Sequence, residues 1–377
     1  MKKLLIATDT YLPKKDGITR FLNMIVPSLT ERYEVTILAP SFTRSFKEER
    51  HSGARVVRFP VYKRLQLSSY PAVRLFYRKV KRYVKEADMV WIQSAAPLGF
   101  MALRAAKKTK KPVFAYIHAI EWEQLTHIML KSRYLKPLLM RLLTKLERYI
   151  YNKCDLLMVP AKSVAIQLSE LGIKGRKVII PLGVDGAYFL PPEDKAKAKK
   201  DIGLDPDSVV IGYSGRLSRE KDVTTLAKAF ARLQERDPKL QLLIVGDGNQ
   251  RLVTEHVKDG YHITGFVDDV VPYLQAMDIF VMPSLTETSS LATMEAMACG
   301  LPAVCTYVGN IKHYITDGRN GYLFPRGDFE YLEKKLARLI EGPELRRAIG
   351  VLARKTMVAK FNWDRTVKQI LWVLGRY

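Results

Sequence analysis

Short apolar runs alternate with longer amphipathic ones along the whole chain. In the first half "KLLIAT", "EVTILAP", "VVRFPVY", "MVWIQSA", "VFAYIHA", "LLMVPA" and "VIIPLGV" are rich in β-branched and aromatic residues. Their apolarity is continuous rather than alternating, which predicts strands buried on both faces and hence a parallel, doubly wound sheet. Helical spacing fills several of the gaps, as at residues 20–31 and 134–153. The segment "PLGVDGAYFLPPEDKAKAKKDIGLDPDS" interrupts the alternation with Pro, Gly and charge, as an interdomain linker would. A second series follows: "VVIGYSG", "LQLLIVGDG", "YHITGF", "IFVMPS", "PAVCTYV" and "GYLF". The pattern predicts an α/β protein of two Rossmann-like domains facing each other across a cleft, residues 1–185 and 186–360. In the tail, residues 361–377, the apolar positions Val367, Ile370, Leu371 and Val373 fit a helix packing back toward the first domain.

Charge separates these halves. The 377 residues carry a net charge of +24, and through Asp185 there are 35 Lys and Arg against 14 Asp and Glu, whereas the remainder has 27 against 24. The first half is thus expected to meet an anionic partner: nucleic acid, an anionic membrane surface or an acidic substrate. No apolar run approaches the roughly 20 residues of a bilayer span, and "MKKLLIATDTYLP" reaches Asp9 too soon for a signal peptide, so a cytoplasmic location is expected. Cys154, Cys299 and Cys305 form neither a disulfide framework nor zinc-ligand spacing.

Two stretches carry chemistry. "IGYSGRLSREKDVTTLAKAF" places glycine, Arg216 and Lys221 between a strand and a helix, where two cations and helix amides favour a pyrophosphate. "FVMPSLTETSSLATMEAMACG" runs from a buried strand through a loop into a helix, with Glu287 on the loop and Glu295 in the helix. The amides of Ser290, Leu291 and Ala292 can hold a phosphate while the carboxylates accept hydrogen bonds from hydroxyls on either side of it. A nucleotide sugar has polyols at both ends of its diphosphate and fits this arrangement. The full G-x-G-x-x-G fingerprint and the P-loop are both missing, and the sole "DPD" lies beside a proline in the linker, so no metal site is assigned.

Together with "VGNIKHYITDGRNGYLF" and "PLGVDGAYF", these motifs resemble those of family 4 glycosyltransferases, retaining enzymes with the GT-B fold, over essentially the whole chain. The resemblance implies that Glu287 contacts the transferred sugar, Glu295 the ribose, and Arg216 and Lys221 the diphosphate. It places Phe266, Val267 and Leu274 of "GFVDDVVPYL" near the nucleobase. It makes Gly17 of "YLPKKDGITRF" the point of backbone approach to the donor, beside Asp16, which would address the acceptor or a loop amide. It also sets His118 of "YIHAIEWEQ" near the sugar's 6-hydroxyl and reacting carbon, with Glu121 and Glu123 orienting the acceptor. The implied activity is retaining transfer of a hexose from a UDP- or GDP-sugar, with the cations doing the electrostatic work of a metal.

The acceptor is read from the basic half. "YKRLQLSSYPAVRLFYRKVKRYVKEAD" and "LKSRYLKPLLMRLLTKLERYIYNKCD" are cationic, amphipathic and rich in aromatic or leucine residues, as suits an anionic membrane surface and a lipid or lipid-linked acceptor. Peripheral attachment to the inner face of the cell membrane is therefore expected. The alternatives are a soluble enzyme with a polysaccharide or sugar-phosphate acceptor, and a basic nucleic-acid-binding protein. No nucleic-acid module supports the second, which leaves the donor residues unexplained.

Overall fold

A computed structural model describes residues 1–14, 16–41, 46–67, 70–74, 76–118 and 135–377. The chain divides into two compact units, one formed by Met1–Pro181 with Val367–Tyr377 and the other by Leu182–Thr366.

The first unit holds β1 (Lys2–Ala7), β2 (Tyr33–Ser41), β3 (Lys47–His51), β4 (Ala54–Leu67), β5 (Tyr70–Val73), β6 (Met89–Ile92), β7 (Val113–Tyr116), β8 (Leu156–Val159) and β9 (Lys177–Ile179). They form one sheet ordered β3-β4-β2-β1-β6-β7-β8-β9, with β5 pairing to β4. Every pairing from β4 to β9 along this path is parallel; β3 and β5 add antiparallel edges to β4. Strands β6, β7 and β8 are buried at every position, as continuous apolar runs require. The edge strand β3 was not expected: "KEERH" has no apolar pattern, and its pairing rests on the Ser52-Gly53 turn, where φ is 48° and 81°. The helices that matter here are α1 (Gly17–Thr30), α2 (Tyr77–Glu86), α3 (Pro97–Lys108) and α4 (Leu135–Asn152).

The second unit holds β10 (Val210–Ser214), β11 (Gln241–Val245), β12 (Tyr261–Ile263), β13 (Ile279–Met282), β14 (Ala303–Thr306) and β15 (Tyr322–Phe324) in the order β12-β11-β10-β13-β14-β15, all parallel. Helices α5 (Val223–Gln234) and α6 (Leu291–Ala298) follow β10 and β13. The stretch read as a linker belongs largely to this unit. Lys199 within it is buried and pairs with Asp278 at 2.8 Å, a contact that a count of Pro and charge does not reveal. Helix α7 (Trp363–Leu374) closes the chain, burying Ile370 and Leu371, while the Tyr377 ring meets Phe114 edge-on at 4.8 Å.

Candidate active site

Open α/β sheets bind ligands beyond the carboxyl ends of their strands, where the strand order reverses. In the second unit that point lies between β10 and β13, and the charged motifs fall there. β10 leads into Arg216 and, through a 3₁₀ turn at Arg219–Lys221, to Lys221; β13 leads into Glu287. Lys221 Nζ donates to Glu287 Oε1 at 2.5 Å, and Ser284 Oγ donates to the same oxygen at 2.9 Å. Arg216, half exposed, donates from Nη2 to buried Glu220 at 2.9 Å. Glu220 also ties the two loops together, because its carbonyl accepts from Leu285 N at 2.9 Å.

The Glu287 loop is braced from its other side. Gly309, at φ 52°, lies so close that a Cβ there would sit 1.8 Å from the Glu287 carbonyl oxygen, leaving room for glycine alone. Asn310 N donates to Thr288 O at 2.8 Å, and the buried Tyr314 hydroxyl donates to Ser289 O at 2.9 Å. At the end of this loop Ser290 adopts a left-handed conformation and begins α6 without a side-chain cap. The first amides of α6 thus lack the internal anion that an acidic cap supplies. Glu295 is buried within α6 at 3% exposure.

In the first unit the reversal lies between β1 and β6. Asp9, just past β1, is fully buried: Ser94 Oγ donates to it at 2.8 Å, and the α3 amides of Leu98 and Gly99 donate at 2.9 and 3.3 Å. Burial pushes its carboxyl above the usual range against these three donors. Asp16 caps α1, accepting from the helix amide of Thr19 at 2.9 Å and from the Thr10 hydroxyl. At Gly17 a Cβ would meet nothing within 4 Å. His118, after β7, shares a 2.8 Å hydrogen bond between its Nε2 and Gln93 Oε1. Its ring packs against Phe21 and Tyr116 at centroid distances of 4.8 and 4.7 Å, and this burial pushes its pKa down to about 3, keeping the imidazole neutral.

The pattern for glycosyl transferases group 1 matches residues 194–356, and that for Glycosyltransferase Family 4 matches residues 15–187. The chain belongs to the glycosyltransferases. This glycosyltransferase is 27% identical over 384 residues to the alpha-monoglucosyldiacylglycerol synthase of Acholeplasma laidlawii, covering 96% of the chain and 93% of that relative. It is also 27% identical to the GDP-mannose-dependent monoacylated alpha-(1-6)-phosphatidylinositol monomannoside mannosyltransferase of Corynebacterium glutamicum, covering 96% and 95%. Anabaena HepE, solved with UDP and glucose, has the same fold at a TM-score of 0.79 and 20% identity over 100% of both chains. The expected GT-B architecture is therefore the one observed.

Within the transferase the residues expected from sequence separate into groups. Arg216, Lys221, Glu287 and Ser290 stand on the two loops flanking the second reversal, Leu291 and Ala292 open α6, Gly17 opens α1 after β1, and His118 follows β7. Phe266 is 55% exposed and Val267 is half-buried, but Leu274 is fully buried in the core and has no surface to offer a base. Glu121 and Glu123 lie outside the described residues. Asp9, Gln93, Glu220, Ser284, Gly309 and Tyr314 were not singled out from sequence. Only Gly309 carried a local signal, as the glycine of "VGN".

Proposed function

We propose that this glycosyltransferase moves a hexose from a UDP- or GDP-sugar, with retention, to a lipid or lipid-linked acceptor at the membrane surface. The observation that carries the donor reading is the Lys221–Glu287 contact at the reversal between β10 and β13, beside the uncapped start of α6. Arg216, Lys221 and the amides of Ser290, Leu291 and Ala292 hold the diphosphate and stabilise the charge developing on it as the sugar leaves. Glu287 accepts from sugar hydroxyls and Glu295 from the ribose. Phe266 and Val267 approach the base, Gly17 leaves space for the donor, and neutral His118 hydrogen-bonds the sugar rather than exchanging a proton with it. The acceptor attacks from the face the diphosphate leaves, and a diphosphate oxygen takes the acceptor's proton. The side-chain cations make a metal unnecessary for this step.

The lipid reading draws on the two relatives named for lipid substrates and on α4. There Leu142, Leu146 and Tyr149 are exposed at 56%, 43% and 56%, one stripe at helical spacing interleaved with exposed Arg141, Lys145 and Arg148. Among the described residues no helix is long and apolar enough to cross a membrane. Helix α2 contributes charge alone. Tyr83 is buried and the partly buried Tyr77 lies under Arg104 and Lys108, so these two aromatics of α2 face the protein; the side chain of Tyr70 lies outside the described residues.

Thermal-shift titration with UDP- and GDP-sugars, with and without magnesium, tests the donor site. Stabilisation by one nucleotide class that is indifferent to magnesium is expected, and no response to any of them rejects it. Transfer to diacylglycerol in vesicles with and without anionic lipid tests the acceptor. Equal transfer to a water-soluble sugar phosphate with no vesicles present would favour the soluble alternative.

A further inference from the structure

Beyond the carboxyl edge of the second sheet the backbones of β10, β11 and β12 stay together past the ends of their ladders. The last ladder pairs are Ser214 with Val245 and Ile244 with Ile263. Further out, Gly215 N still donates to Val245 O, Leu217 N to Asp247 O and Asn249 N to Leu217 O, each at 2.9 Å. On its other side Gly246 forms an antiparallel bridge with Gly265. Gly246 thus lies against the loop that carries Arg216 on one side and the loop that carries Phe266 and Val267 on the other. Its φ is 142°, and a Cβ there would sit 2.0 Å from Gly215 O; a Cβ at Gly248 would sit 2.3 Å from Leu217 O. Glycine at a strand end marks such a close approach of another backbone. For an alanine at 246 to fit, Gly215 would have to recede by roughly 1 Å or more. Strands β10 and β12 lie two strand spacings apart, about 10 Å, and a nucleoside diphosphate held at both Arg216 and Phe266 has to span the two loops.

We propose that Gly246 is a positioning residue for donor binding: by letting the Arg216 loop and the Phe266 loop close on either side of it, it fixes the separation at which diphosphate and nucleobase are held together. The proposal rests on the reading of these two loops as the donor's cradle and concerns the second unit alone. Gly248 secures the Arg216 loop one step further out. With the separation fixed, joining base and diphosphate in one ligand raises the affinity over that of either piece by about 10²- to 10⁴-fold, provided both ends engage at once. A side chain at position 246 forces the loops apart and removes this gain, while each loop keeps its own contacts.

The experiment measures the affinities of UDP, GDP, uridine, guanosine and inorganic pyrophosphate for the full-length wild type, Gly246→Ala and Gly248→Ala, by titration calorimetry and saturation-transfer NMR, with a thermal melt of each protein. The wild type is expected to bind one of the two nucleotides far more tightly than the matching nucleoside or pyrophosphate. Gly246→Ala should weaken that nucleotide by about 100-fold, the scale of a 1 Å misplacement, and leave the affinities for nucleoside and pyrophosphate unchanged. Gly248→Ala should show the same pattern to a smaller degree. A lower melting temperature in Gly246→Ala with every affinity kept marks a purely structural glycine and overturns the proposal. A loss shared equally by nucleoside or pyrophosphate also overturns it, since that means damage within one loop rather than a change of spacing. If Gly246→Ala does not fold, Gly248→Ala decides by the same comparison, because Gly248 is exposed and its loop can yield toward solvent. A wild type that binds neither UDP nor GDP rejects the donor reading and this proposal with it. A wild type that binds, with variants that bind equally well, rejects the spacing alone.

Discussion

The first sheet is centred on β2-β1-β6 and the second on β11-β10-β13, and in each the strand across the reversal is followed by a helix, α3 in one and α6 in the other. In the first unit the start of α3 is already filled, because Asp9 from the end of β1 accepts from Leu98 N and Gly99 N. In the second no side chain caps α6, and the position corresponding to Asp9 leads instead to Arg216 and Lys221. One unit carries its own carboxyl at the reversal; the other brings cations, and Ser290 gives its helix no side-chain cap. Strand order thus makes two equivalent places for an anion, and a few side chains decide which remains available. The carboxylates near the second reversal, Glu220 and Glu287, pair with these cations at 2.9 and 2.5 Å; under the proposed function a diphosphate would compete for them.

The change expected to have the largest effect removes a cation from the second reversal. Lys221→Met should lower kcat/KM by about 10²- to 10³-fold, the scale of losing one preorganised charge-stabilising donor, and should abolish thermal stabilisation by the nucleotide sugar. A chromatographic assay of released nucleoside diphosphate measures it. Retained activity would mean that this reversal is not the anion site, and the contrast between the units would fail.

The converse test fills the contrast from the other side. Asp9→Ala leaves two α3 amides and Ser94 without their partner and should destabilise the first unit by about 2 kcal/mol in chemical denaturation, with thermal stabilisation by the donor intact. Asp9→Asn should be milder. Because burial raises the Asp9 carboxyl in the folded state, its stabilising contribution is greatest at low pH and is lost as pH rises through the folded pKa, a loss a neutral amide does not share. Loss of donor binding in either variant would show that the first reversal also takes part in anion recognition.

These tests also show what could be read in the sequence. The parallel strands were legible because burial on both faces leaves an unbroken apolar run, and the places of Arg216, Lys221 and Glu287 on loops that leave β10 and β13 followed from those strands. The supporting residues were not legible. Asp9 and its partner Ser94 are 85 residues apart, and Asp9 and Leu98 are 89 apart, distances that no local pattern spans. Glu220 lies four residues from Arg216 and is indistinguishable in sequence from a solvated ion pair. Tyr77 and Tyr83 looked like interfacial aromatics until the packing of α2 against the core turned them inward.

A smaller effect separates the units by protonation. His118 is depressed to a pKa of about 3 in the folded protein, so the stability it contributes is present above its unfolded value near 6.5 and is lost as pH falls toward 3. The loss is at most about 1.4 kcal/mol per pH unit for one proton. In His118→Asn the stability of the first unit should decline less steeply between pH 6.5 and 4, measured by denaturation at several pH values. An unchanged slope would mean that the imidazole titrates normally and that the first site is not held neutral.

The smallest expected effect concerns the start of α6, where Ser290 has φ 52° and ψ 78°. A side chain in this left-handed region raises the energy by about 1–2 kcal/mol relative to glycine, although glycine returns part of that through the freedom it gains when unfolded. Both Ser290→Gly and Ser290→Ala lose the 2.8 Å contact between the Ser290 and Thr293 hydroxyls, so the difference between the two variants isolates the backbone. The glycine variant should be the more stable by about 1 kcal/mol. If strain at this residue serves to aim the α6 amides at a diphosphate, the relaxed glycine variant should also bind the donor less tightly than the alanine variant despite its greater stability. Equal donor affinity in the two would mean that Thr288, Ser289 and their partners Asn310 and Tyr314 hold the loop without help from the strain, and that what distinguishes the second reversal from the first is its charge alone.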